Sequence, residues 1–141
     1  MRGRIDCNRP AQYHEESRMT SKANEYVGDL ILDYDDGHHH EEYTAEVTRA
    51  SIVGDDWIVQ FSGTDSDLGR YIGEMRLHCA GKTLKGQGTF RSDRQPAVTA
   101  TINAKLHRKS KTQATCEGTW HEPGDASAYA MTLELVAARP Q

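Results

Sequence analysis

The 141-residue sequence lacks long apolar segments and contains few hydrophobic residues overall. Hydrophobic residues make up 36% of the chain, and the mean hydropathy is -0.76. No segment approaches the ~18 consecutive apolar residues that read as a transmembrane helix. The first twenty residues also lack the apolar stretch of a secretory signal. These absences predict a single soluble domain with no membrane partner.

Cysteine is scarce and widely spaced: Cys7, Cys79 and Cys116 form no CxxC pair. An odd number of cysteines argues against a disulfide framework, and disulfides are rare in the cytosol. We therefore expect three free thiols in a cytoplasmic protein. Cys79 and Cys116 also fall at inward positions of predicted strands, which favours buried apolar side chains over catalytic nucleophiles.

A helical apolar stripe is missing, whereas an alternation with a period of two recurs from Glu25 onward, which predicts half-buried β-strands. We expect eight strands, at residues 25–34, 42–53, 56–62, 70–79, 82–90, 97–106, 111–120 and 128–136. The connections are too short for crossover helices, so neighbouring strands should pair antiparallel. The prediction is an all-β fold, an eight-stranded antiparallel up-and-down meander closed into a small barrel, with a β-sandwich as the alternative.

The domain organisation follows from where the alternation begins and ends. Residues 25–136 form the predicted barrel domain, residues 1–24 a polar flexible N-terminal arm, and residues 137–141 a C-terminal tail. Glycines on the inward register mark sharp strand coiling or space in the interior. A closed sheet needs such positions more than a flat sandwich does, so they favour the barrel; they are Gly28, Gly73, Gly86, Gly88 and Gly118.

The connections separate the two ends of the predicted barrel. Tight turns at 53–56, 80–82 and 107–110 mark one end, and longer loops at 35–41, 62–69, 91–96 and 121–127 mark the other. Ligand sites of small barrels lie in the mouth, under such loops. Seven inward aromatic residues lie near the long-loop end and are predicted to contact a small apolar or aromatic ligand: Tyr34, Tyr43, Phe61, Tyr71, Phe90, Trp120 and Tyr129. The alternative is that these rings only fill a tapered core.

A histidine run stands out in the loop DDGHHHEE, residues 35–42. In extended chain His38 and His40 share a face, and together with His121 they are candidate ligands for zinc, nickel or copper. Three consecutive histidines have no diagnostic spacing, so a solvated hairpin tip is the favoured interpretation. We expect no metal and no cofactor, and we assign no catalytic residue. An enzyme that uses the loop histidines is the third functional hypothesis.

Charge is divided sharply along the chain, whose net charge is -4. Eleven acids and one base lie between Asp29 and Asp67, whereas ten bases and two acids lie between Arg70 and Lys111. In a meander these segments become two sides of the barrel, which would steer a charged protein partner. The alternative function is therefore a protein-interaction module, such as an inhibitor or immunity-type antagonist. The basic turn at 106–111 lacks exposed aromatic residues, so nucleic acid is not an expected partner.

Arg49 is the one charged residue on a strict inward register. It either binds an anion inside the barrel or is turned outward by a bulge around residues 48–50. In the second case Ile52 competes for the inward position. The bulge is the favoured prediction.

Residues Gly118-Thr119-Trp120 are similar to the GxW motif of the calycins, although that motif lies in the first strand there and in the seventh predicted strand here. The predicted meander with an aromatic mouth also resembles the architecture of this superfamily, the lipocalins, avidins and fatty-acid-binding proteins. The resemblance covers residues 25–136 in architecture only, and it transfers no ligand residue. The leading hypothesis is a non-catalytic protein that holds a small, partly apolar ligand in the mouth.

Overall fold

The computed structural model describes residues 24–138, and the regular secondary structure in this range is entirely β-strand. The predicted arm before Asn24 and residues 139–141 of the predicted tail lie outside the described residues. Within the described range no helix is long and apolar enough to cross a membrane. The strands are β1 (Asn24–Asp35), β2 (His40–Val53), β3 (Asp56–Asp65), β4 (Gly69–Ala80), β5 (Thr83–Ser92), β6 (Val98–Lys109), β7 (Gln113–His121) and β8 (Tyr129–Ala137).

The strands form one closed antiparallel sheet. Each strand pairs with the next along the chain, and β8 completes the barrel by pairing with β1. Leu30 of β1, for example, lies opposite Ala45 of β2 and opposite Leu133 of β8. Because closure leaves no sheet edge unpaired, the predicted barrel is confirmed and the sandwich alternative is wrong.

The interior follows the alternation of the sequence. Inward side chains of every strand meet in one apolar core, and its largest fully buried members include Trp57, Trp120, Tyr26, Leu30 and Met75. No polar or charged side chain of residues 24–138 is fully buried. Burial of apolar surface contributes about 25 cal/mol per Å², so this core is the main source of stability. An eight-stranded barrel is just wide enough to be filled in this way.

A β-bulge in β2 decides the position of Arg49. The pairing of β2 with β3 shifts register between Val47 and Arg49, and the extra residue turns Arg49 to the outer surface. There its guanidinium donates to the Glu25 carboxylate at 2.7 Å, and Ile52 is buried in the core. The predicted bulge is confirmed, and the alternative of an anion site inside the barrel is wrong.

The inward glycines allow two kinds of close approach. A Cβ atom at Gly28, Gly86 or Gly118 would collide with a carbonyl oxygen of the neighbouring strand, so these glycines lie where the sheet coils sharply. A Cβ atom at Gly88 would instead meet the Trp120 ring, and one at Gly73 would meet both the Phe61 ring and the carbonyl oxygen of Thr89. The space that these two glycines leave is therefore occupied by aromatic side chains at the base of the mouth.

The two ends of the barrel differ, although not at every connection as predicted: β3 and β6 run longer than predicted, so the connections at 66–68 and 110–112 both have three residues. The turns after β2 and β4 are tight, and their glycines, Gly54 and Gly81, have φ angles of 62° and 65°, which favour glycine because a Cβ atom disfavours that conformation. The connections after β1, β3, β5 and β7 meet at the opposite end and are formed by residues 36–39, 66–68, 93–97 and 122–128.

Lys109 lies at the tight-turn end, against the buried ring of Tyr26. Its ammonium donates to the Tyr26 hydroxyl at 2.8 Å and to the Ser110 carbonyl oxygen at 3.2 Å. The nitrogen also lies 5.2 Å from the centre of the Tyr26 ring. Because burial disfavours the charged form, the pKa of Lys109 is lowered to about 8.

We expect the free energy of unfolding of the parent, minus that of a Lys109→Met variant, to increase between pH 7 and about pH 9.5. An unfolded lysine has a pKa of about 10.4, so the unfolded chain binds more protons at this position once the folded state begins to deprotonate near pH 8. Stability rises with pH wherever the unfolded state binds more protons. Urea unfolding of parent and variant at both pH values measures the change.

Lys105→Met is the matched control, since Lys105 is exposed on the outer face of β6. Its stability relative to the parent should stay constant over this range. A Lys109→Met difference that is equally constant would show that Lys109 titrates as an ordinary surface lysine.

Candidate functional site

A cavity of about 230 Å³ lies at the long-loop end of the barrel. Six of the seven predicted ligand residues line it, one from each of six strands: Tyr43, Phe61, Tyr71, Phe90, Trp120 and Tyr129. They come together because, in each of these six strands, the inward-facing residue nearest the mouth is aromatic. The structure therefore brings together side chains that lie up to 86 positions apart in the sequence.

Tyr34, the seventh predicted residue, does not line the cavity. It lies at the rim, where its ring centre is 5.4 Å from that of Tyr129 and 6.5 Å from that of His39. Its hydroxyl donates to the Asp36 carboxylate at 3.4 Å. Tyr34 thus extends the aromatic surface outward from the cavity along β1.

The lining rings contact one another in a continuous series. Ring centres lie 6.0 Å apart for Tyr43 and Tyr129, 6.4 Å for Tyr43 and Tyr71, and 6.1 Å for Tyr71 and Phe90. Trp120 continues the series, at 6.1 Å from Phe90 and 6.2 Å from Phe61. Three of these five pairs are edge-to-face, which is a favoured geometry for aromatic pairs, and the other two are tilted.

Depth divides the lining into a base and a wall. Trp120, Phe61 and Tyr71 are buried, whereas Tyr43, Phe90 and Tyr129 are half-buried and can be reached from solvent. Burial therefore supports core filling for the three deeper rings, whereas ligand contact stays a prediction for the three outer rings. The deeper rings close the core, and the outer rings leave a cavity above it.

Glu41 enters the cavity at the start of β2 and is held by three side chains. The hydroxyls of Tyr43 and Tyr129 donate to its Oε1 at 3.1 and 2.9 Å, and the His39 ring lies 2.6 Å from its Oε2. The hydrogen bond to His39, followed by those from Tyr129 and Tyr43, lowers the pKa of Glu41. This carboxyl group is therefore ionised at neutral pH.

The two tyrosines that contact Glu41 stay protonated at neutral pH. Burial, the negative charge of Glu41 and the hydrogen bond to it raise the pKa of Tyr43 to about 12. Burial and the hydrogen bond to Glu41 also raise the pKa of Tyr129. Both hydroxyls thus act as donors to the carboxylate, and both residues line the cavity.

Glu122 is the second acidic residue of the lining and follows β7. The indole Nε1 of Trp120 donates to its Oε2 at 3.0 Å.

The sequence-based prediction missed both Glu41 and Glu122. The period-two alternation could have placed both residues on the inward face. Glu41 lies two residues before Tyr43, and Glu122 lies two residues after Trp120, so each continues an inward register beyond the apolar part of its strand.

Leu68 and Gln95 come from the loops above the cavity, and Leu32 from β1 completes the lining. Leu68 is buried and is the only apolar residue of the predicted loop at 62–69. An isolated leucine in an otherwise polar loop is the signal by which it could have been found. No Lys, Arg, His, Ser or Cys side chain of the described residues lines this cavity.

The histidines proposed as metal ligands are not brought together. The His40 ring contacts the Asp33 carboxylate at 2.7 Å, the His121 ring contacts the carbonyl oxygen of Asp125 at 2.9 Å, and His38 is exposed. Among residues 24–138 there is no group of three or more His, Cys, Asp or Glu side chains that could hold a metal ion.

The cysteines differ from the expectation of three free thiols. Cys79 is disulfide-bonded, whereas Cys116 is a free buried thiol. The expectation is wrong at Cys79 because an odd count excludes the pairing of all cysteines but not of two. Burial, together with the charge of Glu117, raises the pKa of Cys116 to about 12, so this thiol is not activated as a nucleophile.

No family model matches the sequence, and no curated protein matches it. The functional assignment therefore rests on the geometry of the cavity.

Proposed function

We propose that this protein binds a small, partly apolar ligand in the mouth of the barrel. The observation that carries the proposal is the cavity of about 230 Å³ lined by six aromatic residues at the long-loop end. Calycin barrels, which the sequence resembles in architecture, offer the same type of site. The proposed role of the chain is binding without catalysis.

The size and chemistry of the cavity limit the ligand. Drug-sized ligands occupy pockets of about 300–1,000 Å³, so a cavity of about 230 Å³ suits a smaller molecule. The half-buried rings of Tyr43, Phe90 and Tyr129 supply apolar contact area. Very small ligands gain at most about 1.5 kcal/mol per heavy atom, and larger ones about 0.3 kcal/mol. A ligand of about ten heavy atoms that gains an intermediate amount, about 0.4–0.8 kcal/mol per heavy atom, should bind with a Kd between about 1 mM and 1 μM.

Indole is a suitable neutral probe of the cavity. We expect that a Leu68→Trp variant no longer binds indole. Leu68 points into the cavity from the β3–β4 connection, so a larger ring at this position would occupy the space of the ligand. The loop position lets the added volume extend into the cavity, so the free energy of unfolding should change little. Isothermal titration calorimetry measures indole binding, and urea unfolding measures stability.

Ile72→Trp is the matched control, because Ile72 is 50% exposed on the outer face of β4. This variant adds the same ring and should bind indole as the parent does. Absence of indole binding by the parent protein, or equal binding by both variants, would contradict the proposal.

A second candidate function is supported by the distribution of charge on the barrel. The acidic segment forms β1, β2 and β3, which are adjacent in the sheet, and most of the basic residues lie on β4, β5 and β6, which are also adjacent. Such separated sides would steer a charged protein partner and make its association rate depend on salt. If the cavity binds no small molecule, these two surfaces become the leading candidate for the function.

A further inference from the structure

We propose that the ligand of the aromatic mouth is a small organic cation, such as a protonated amine or a quaternary ammonium compound. This inference rests on the proposed function, since it requires that the cavity binds a ligand. It goes further because it assigns the charge of the ligand from the side chains around the cavity.

The lining of the cavity is acidic. Glu41 and Glu122 both line the cavity, and no cationic side chain of the described residues does so. Like charges placed together in a partly desolvated site repel one another strongly. The site therefore disfavours an anion, and a cation would balance the two carboxylates.

Both carboxylates accept hydrogen bonds from aromatic side chains of the lining. Glu41 accepts from Tyr43 and Tyr129 on Oε1, and Glu122 accepts from Trp120 on Oε2. These donors orient both carboxylates toward the aromatic wall before any ligand binds. Binding therefore costs less side-chain conformational entropy. The remaining Oε1 of Glu122 has no hydrogen-bond partner among residues 24–138 and is available to a ligand.

His39 is the nearest basic group to this pair. Its ring contacts Oε2 of Glu41 at 2.6 Å, and this hydrogen bond raises the pKa of His39. The imidazole is 59% exposed and does not line the cavity. Water therefore screens the charge of His39 more than it screens charges inside the mouth. Glu122 has no ion-pair partner among the described residues.

Aromatic side chains form the wall around the two carboxylates. Tyr43, Phe90, Trp120 and Tyr129 surround the same volume as the two carboxylates. The face of an aromatic ring carries partial negative charge, and a cation within about 6 Å of the ring centre is attracted to it. Several rings around a compact cavity form the kind of aromatic cage that recognises quaternary ammonium groups.

Choline and its neutral carbon analogue, in which a tert-butyl group replaces the trimethylammonium group, provide a direct test. The two molecules have nearly the same shape and differ in charge. Calorimetric titration of the parent protein at pH 7 should show choline binding at least about tenfold more tightly, since cation–π attraction and two carboxylates favour only the cation.

Glu122→Gln should weaken choline binding at least about fivefold and leave binding of the neutral analogue unchanged, because glutamine can still accept from the Trp120 indole. Glu134→Gln is the matched control: Glu134 is exposed on the outer face of β8, and its variant should bind both probes as the parent does. Equal parent affinities for the two probes would overturn the cation assignment, and so would equal effects of the two substitutions on choline.

Indole separates this inference from the proposed function. If indole or the neutral analogue binds while choline does not bind more tightly, the cavity is a ligand site and the cation assignment is wrong. If none of the three probes binds, the proposed function fails, and the present inference fails with it.

Discussion

A Trp120→Ala variant is expected to lose about 3–5 kcal/mol of the free energy of unfolding. Trp120 has an exposed fraction of 0%, and its ring packs against those of Phe61 and Phe90. Removing the indole leaves a large void at the base of the mouth, and it also removes the hydrogen bond donated to Glu122. Because native domains are stable by only about 5–15 kcal/mol, the urea midpoint should fall substantially.

Met131→Ala is the comparison for Trp120→Ala. Met131 is 1% exposed and lies opposite Leu32 and Gly118 in the sheet, and its truncation should cost about 2–5 kcal/mol. The two variants should therefore be similarly destabilised, whereas only Trp120→Ala should also change indole binding, because Trp120 lines the cavity and Met131 does not. A Trp120→Ala midpoint close to that of the parent would show that the indole is not packed in the core.

The second large effect is expected at Gly86, where even alanine should cost about 3 kcal/mol or more. Gly86 lies opposite Leu77 on β4, and a Cβ atom at this position would collide with the carbonyl oxygen of Arg76. The obstacle is backbone, so no side-chain rotation can relieve it. The strands would have to separate and weaken the β4–β5 ladder.

Gln87→Ala is the control for Gly86→Ala, because Gln87 is the next residue on β5 and is exposed on the outer face. Surface substitutions of this kind usually change stability by less than about 0.5 kcal/mol. Urea unfolding of both variants measures the difference. A Gly86→Ala midpoint equal to that of Gln87→Ala would mean that β4 and β5 do not approach as closely at this point as described.

The barrel could be predicted from the sequence because its main determinant is local. Alternation with a period of two assigns each side chain to a face, and short connections leave antiparallel pairing of neighbours as the simple solution. The same reasoning predicted the bulge at Arg49, because a charged residue on an apolar register conflicts with burial. The closure of β1 on β8 was expected from the inward glycines, which mark the sharp coiling that a closed sheet requires.

The candidate site could be predicted only in part. Six of the seven predicted aromatic residues line the cavity because they lie on the inward register, whereas Tyr34 turns to the rim where β1 reaches the loop. Glu41 and Glu122 were missed because acidic residues at strand ends are usually solvated. Their contacts with Tyr43, Tyr129 and Trp120 depend on how the ends of β2, β7 and β8 meet. The disulfide at Cys79 was missed because the number of cysteines does not determine their pairing.

The most direct test of the proposed function is to locate bound indole on the parent protein by amide chemical-shift mapping. Indole should shift signals of residues around the cavity, among them Tyr43, Leu68 and Tyr129, and should leave the tight turns at Gly54 and Gly81 unchanged. Shifts spread over the outer surface, shifts centred on the tight-turn end, or no shifts at saturating indole would contradict a ligand site in the mouth.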